Sequence, residues 1–241
     1  MRPLIGTSLK MNLTSSEAAT YFEELLPMVS SLTSCELFVL PPFTSIWVAR
    51  DRLRGSNVSW GAQDVHAEDS GAHTGDVSAR MLADLECSFV EVGHSERRRA
   101  YGESDEVVAR KVRQIVRYEM TPIICVGEPQ PTTSGLALDH VLKQARTALS
   151  LVPKADRRLA VIAYEPVWAI GEGASAAEPA HIGAVHVGLH ELGTRVIYGG
   201  SVDPSTADSI LAQAGVDGLF VGRAALDPKR FAAIEIGRAH V

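Results

Sequence analysis

Leu159-Ala160-Val161-Ile162-Ala163-Tyr164-Glu165-Pro166-Val167-Trp168-Ala169-Ile170-Gly171 is an apolar run that stops at a carboxylate and passes into a stiff, glycine-ended loop. A run apolar on both faces suits a parallel strand covered on each side, since an antiparallel strand with one wet face would alternate. Working outward, seven more short apolar runs appear: Leu4 to Leu9, Leu37 to Leu40, Val58 to Ala62, Phe89 to Val92, Pro122 to Val126, Arg195 to Tyr198 and Gly218 to Val221. Helical stretches separate them. Thr14 or Ser15 stands as an N-cap before Glu17, and Ser104-Asp105-Glu106 precedes the periodic Val107, Val108, Val112, Ile115 and Val116. Strict alternation of strand and helix predicts an α/β fold with a parallel sheet. Eight units close into a single (β/α)8 barrel; an open doubly wound sheet is the alternative the pattern leaves.

The 241 residues, 46% of them hydrophobic, suffice for one full core, and barrels of this length are commonly one domain. The domain is expected to span 1–235. The remainder, 236–241, reads like a translated library adapter ending at its stop codon and is expected to be a non-native tail. A formal charge of -6 argues against a surface built for nucleic acid or acidic membranes, so an anion must be held by a local site. Cys35, Cys87 and Cys125 are widely and irregularly spaced, which implies neither a disulfide framework nor a metal site. With no signal-like or membrane-length apolar stretch, the expected setting is the cytoplasm.

Polar and charged residues gather where strands end. Val90-Glu91-Val92-Gly93-His94-Ser95-Glu96-Arg97-Arg98 places a histidine there, and Tyr198-Gly199-Gly200-Ser201-Val202 offers backbone amides to an anion. Together with Lys10-Met11-Asn12, Pro41-Pro42-Phe43, Gly71 to Gly75, Cys125 to Glu128 and the Glu165 block, these segments run in order through nearly the whole chain, which resembles the triosephosphate isomerase family. The resemblance implies a TIM barrel and a cofactor-independent aldose-ketose isomerase, interconverting glyceraldehyde 3-phosphate and dihydroxyacetone phosphate through an enediolate. It implies catalytic roles that are recognised for the family: Glu165 as base, a neutral His94 and Lys10 as stabilisers of the developing oxyanion, and Glu96 beside them. Ser8, Gly171, Ser201, Gly222 and Arg223 match the positions that hold substrate and phosphate. Arg97 and Glu128 are expected to pair in support, and no metal or organic cofactor is implied.

Three departures bear on the substrate. The lysine motif reads Ser8-Leu9-Lys10 where the family has Asn-Trp-Lys, Arg223 replaces the second glycine of the last phosphate loop, and the lid, Gly171-Glu172-Gly173-Ala174-Ser175, lacks a basic residue after its second glycine. With His66 in the third loop, these resemble the branch that isomerises erythrulose phosphates in erythritol breakdown. Arg223, standing where glycine is usual, predicts an ordinary backbone angle at 223. The loop from Gly71 to Asp76 resembles the arm with which one subunit reaches its neighbour, so a homodimer through Thr74 is expected. Rival readings are a catalytically silent phosphate-binding barrel and a Schiff-base enzyme. Lys10 is the only lysine at a strand end, and Lys111, Lys143, Lys154 and Lys229 fall on helices or linkers.

Overall fold

The computed structural model describes residues 2–171 and 176–236. Eight parallel strands close in sequence order into a barrel. They are β1 Leu4–Ser8, β2 Glu36–Leu40, β3 Val58–Ala62, β4 Phe89–Val92, β5 Thr121–Val126, β6 Val161–Tyr164, β7 Arg195–Tyr198 and β8 Gly218–Val221. Around them lie α1 Ser15–Val29, α2 Ile46–Leu53, α3 Ala79–Asp84, α4 Ser95–Tyr101, α5 Asp105–Arg117, α6 Ser134–Ala148, α7 Pro179–Leu189, α8 Ala207–Leu211 and α9 Pro228–Ile236. The barrel closes where β1 meets β8, with Leu4 opposite Gly218 and Thr7 opposite Val221. All eight expected runs are strands. The expected start at Leu159 is early, because Lys154–Leu159 is a 3-10 turn that leaves Leu159 facing solvent.

Local chemistry explains the helix starts. Thr14 accepts from the Glu17 amide while the Glu17 carboxylate takes the Thr14 N–H, a reciprocal cap that begins α1. Ser104 accepts from the Val107 amide and begins α5. On α5 the buried face carries Val108, Val112 and Ile115 at helical spacing, and Lys111 beside them.

Two apolar layers result, one between strands and helices and one inside the barrel. The inner layer contains Leu4, Phe38, Leu40, Ile123, Cys125, Val161, Ala163, Ile197 and Phe220. Phe38 stacks on Phe89 at 4.8 Å and Phe220 at 5.7 Å between centroids. It fills the space that Gly6 leaves, since a Cβ there would stand 2.1 Å from the Phe38 ring. The barrel is thus plugged below, and only its upper mouth is free for chemistry.

Among the described residues no helix is long and apolar enough to cross a membrane. Of the expected tail, only Ile236 is described, as the last residue of α9. In the lid, 172–175 lie outside the described residues.

Candidate active site

A cleft of about 730 Å³ opens at the carboxyl ends of the strands. All of the sequence-predicted site residues line it: Ser8, Lys10, His94, Glu96, Glu165, Gly171, Ser201, Gly222 and Arg223. They arrive from the ends of β1, β4, β6, β7 and β8 and the loops that follow. That convergence is what a closed parallel barrel supplies.

Glu165 directly follows β6 and is 3% exposed. Its amide donates to the Val126 carbonyl at 2.8 Å, which fixes the backbone. Gly199 makes room for its side chain, because a Cβ at 199 would stand 2.7 Å from Glu165 Cγ. Burial, then the nearby Glu91 carboxyl, pushes the Glu165 carboxyl well above the usual carboxylate range. Its Oε2 is buried without a hydrogen-bond partner, 3.5 Å from His94 Nε2. An acceptor so placed suits a base that meets its proton only when substrate arrives.

His94 is the N-cap of α4, and its Nδ1 accepts from the Glu96 amide at 3.2 Å. An Nδ1 used as acceptor leaves the ring hydrogen on Nε2, facing Glu165. Burial, with the Lys10 charge second, lowers its pKa from 6.5 to about 4. A neutral imidazole results, able to donate to a substrate oxygen. Lys10 follows β1 with φ 52°, a left-handed backbone that few side chains adopt. Its carbonyl accepts from Gln63 at 3.0 Å, and its Nζ donates to Glu96 Oε1 at 2.7 Å. Although burial raises the Glu96 pKa, the Lys10 hydrogen bond and charge outweigh it, so Glu96 lies below the ordinary value.

The residues expected to hold an anion lie in the same cleft. Gly222 is open, with nothing within 4 Å of an added Cβ, and Gly171 has φ 111°. Arg223 has no positive φ, as expected, and begins the 3-10 turn Arg223–Leu226. Ser201 is already engaged: its amide and hydroxyl both donate to the Ala169 carbonyl, at 3.2 and 3.0 Å. An anion taking that amide must first free it.

The structure corrects one pairing and adds two residues. Arg97 does not meet Glu128. Its Nε lies 2.8 Å from both Asp64 Oδ2 and Glu103 Oε1. Glu128 instead accepts from Tyr164 at 3.1 Å and Trp168 at 2.7 Å, so it holds the 3-10 turn Val167–Ala169 that leads to the expected lid. Glu91 and Arg230 also line the cleft. The signal for Glu91 was one charged residue in an otherwise apolar strand; Arg230 on α9 has no local signature. Among the described residues, donor atoms in two clusters are close enough to share a cation: Glu91, His94 and Glu165 in the cleft, and His66, His73 and Asp76 in the segment after β3.

With this geometry in place, likeness to known proteins has a physical meaning. A triosephosphate isomerase family model matches residues 3–236. The chain belongs to the triosephosphate isomerase family. It is 42% identical to a triosephosphate isomerase of Roseiflexus sp. (strain RS-1), covering 96% of each chain, and 42% identical to one of Thermus thermophilus, covering 97% of each. A crystal structure of triosephosphate isomerase from Bartonella henselae matches with a TM-score of 0.85 at 34% identity, over 97% of this chain and 98% of that one. The triosephosphate isomerase relationship makes the protein an intramolecular oxidoreductase that acts on a small phosphorylated sugar.

Proposed function

We propose that this chain interconverts glyceraldehyde 3-phosphate and dihydroxyacetone phosphate in the cytoplasm, through an enediolate, with no cofactor. The buried approach of Glu165 Oε2 to His94 Nε2, at 3.5 Å, is the observation that carries the reading. Glu165 removes a proton from the carbon beside the carbonyl and returns it to the neighbouring carbon. General-base help of this kind supplies roughly 10²- to 10⁴-fold. His94 Nε2–H donates to the oxygen on which charge builds, and the Lys10 ammonium, steered by Glu96, offsets enediolate and phosphate charge. The amides at Gly171, Ser201 and Gly222 and the side chain of Arg223 hold the phosphate.

Ser8 and Arg223 favour a second reading, an erythrulose phosphate isomerase, because the short side chain at 8 leaves space for one more hydroxylated carbon. Measuring kcat/KM on glyceraldehyde 3-phosphate and on the erythrulose phosphates side by side decides between them. A higher value on the triose supports the first reading, a higher value on a tetrulose phosphate the second, and no turnover of either sinks both.

A homodimer through the loop around Thr74 belongs to the same proposal. That loop is exposed, and large apolar side chains stand in solvent at Met11 after β1, Phe43 after β2, Trp47 on α2 and Met81 on α3. Thr74→Arg should yield monomers by sedimentation; a wild type that already sediments as a monomer refutes the dimer.

A further inference from the structure

Glu91 lies on β4 with its side chain inside the barrel, at a level where such barrels carry branched apolar residues. It is 2% exposed, yet the roles above leave it unused. Burying a carboxyl costs several kcal/mol if it ionises without a partner, on the order of the penalty for a lone buried charge. Among the described residues it has no ion pair within 4.0 Å, and the Lys10 Nζ is taken by Glu96. The groups facing it are the Ser8 hydroxyl and Lys10 from β1 and its loop, Asp64 after β3, His94 after β4, the Cys125 thiol at 3.7 Å on β5, and Glu165 after β6.

Its place relative to the base and the histidine is informative. One donor atom each of Glu91, His94 and Glu165 lie within 4.8 Å of one another. Some point then lies within about 2.8 Å of all three, the length of an ordinary hydrogen bond. We propose that Glu91 is a further catalytic residue, a carboxylic acid that donates a hydrogen bond to the same substrate oxygen that His94 addresses, where negative charge builds. The hydrogen stays on Glu91 throughout, so no proton is consumed. Two carboxyls this close resist joint ionisation, and when Glu165 is the anion Glu91 keeps its hydrogen. Burial, opposed by Ser8, Lys10 and Cys125, raises the Glu91 pKa to about 7, so its hydrogen is held below that value and given up above it.

The inference rests on the isomerase reading, for either sugar. Its test is kcat and KM against pH for wild type, Glu91→Gln and Glu91→Leu on whichever sugar phosphate the wild type turns over best. An amide still donates, so Glu91→Gln should keep kcat within about tenfold, and its alkaline fall in kcat should disappear because nothing at 91 ionises. Leucine donates nothing and packs well in a barrel, so Glu91→Leu should lose roughly 10²- to 10³-fold in kcat, the cost of one oxyanion donor, with KM little changed. Equal kcat in all three proteins, or equal losses in both variants with the alkaline limb retained, overturns the role of Glu91 while leaving the isomerase intact. A wild type that isomerises no sugar phosphate overturns both together.

Discussion

Lys111 makes the sharpest stability prediction, because the sequence places it on a helix and the structure buries it. It is 5% exposed. Its Nζ donates to Asp64 Oδ1 at 2.7 Å, to Asp64 Oδ2 at 3.0 Å and to Glu103 Oε1. Arg97 completes the group, giving two cations and two carboxylates. Lys111→Met keeps most of the apolar stem and deletes one cation, which leaves Asp64 and Glu103 sharing Arg97. Breaking a buried pair in this way costs about 3–5 kcal/mol. At about 2–4 °C per kcal/mol for a chain of this size, Tm should fall by roughly 6–20 °C.

The loss should also depend on pH. Burial already raises the Asp64 pKa and Lys111 is the main group holding it down, so the variant's Asp64 will rise further. A carboxyl raised in the folded state costs stability as pH climbs from its unfolded value through its folded one. Thermal unfolding followed by circular dichroism should therefore show a larger drop at pH 8 than at pH 5, and adding Glu103→Gln should recover part of it. A Tm within about 2 °C of wild type at pH 8 would refute the network's role. Equal drops at both pH values would assign the loss to packing instead.

Three further outcomes are expected. Glu165→Gln should lower kcat by about 10²- to 10⁴-fold with a modest change in KM; an unchanged kcat removes Glu165 as base. Arg223→Gly should raise KM for the phosphorylated substrate; unchanged kinetic constants would remove its side chain from the phosphate site. For His94, whose folded pKa of about 4 lies below its usual value, the neutral ring is favoured by folding. The stability this contributes is fully present above the unfolded value near 6.5 and lost as pH falls toward 4. Nitrogen NMR of labelled histidine should find the His94 ring, like that of buried His186, neutral throughout pH 5.5 to 8, with the His94 hydrogen on Nε2; a His94 midpoint near 6.5 would contradict the burial argument.

The strands were legible because each is buried on both faces, so apolar continuity alone marked them. Leu159 was misassigned for the complementary reason, an apolar residue that faces water on a turn. Glu165, His94 and Lys10 could be read because short local motifs fix where each strand stops. The Arg97 pairing could not: Asp64 lies 33 positions away and Glu128 31 positions away, and only barrel closure decides which is near. Glu91 was marked only as a charge in an apolar strand; that it points into the cleft could not be read, since which face of a four-residue strand turns inward depends on its neighbours. Lys111 falls on a helix as expected, but its burial could not be read, because only the fold brings Asp64 and Glu103 against it.

The junction of β1 and β8 has a kinetic consequence. Ser8 and Lys10 come from the start of the chain and Gly222 and Arg223 from near its end, so the cleft exists only after residues more than 200 positions apart have paired. Tyr21 on α1 bridges the same gap by donating to the Ala225 carbonyl at 2.8 Å. Because the entropy of closing so long a loop must be met before its contacts contribute, this pairing belongs to the slow part of folding. During refolding, turnover should lag the return of helical signal, and enzymatic activity becomes a clock for the last seam of the ring.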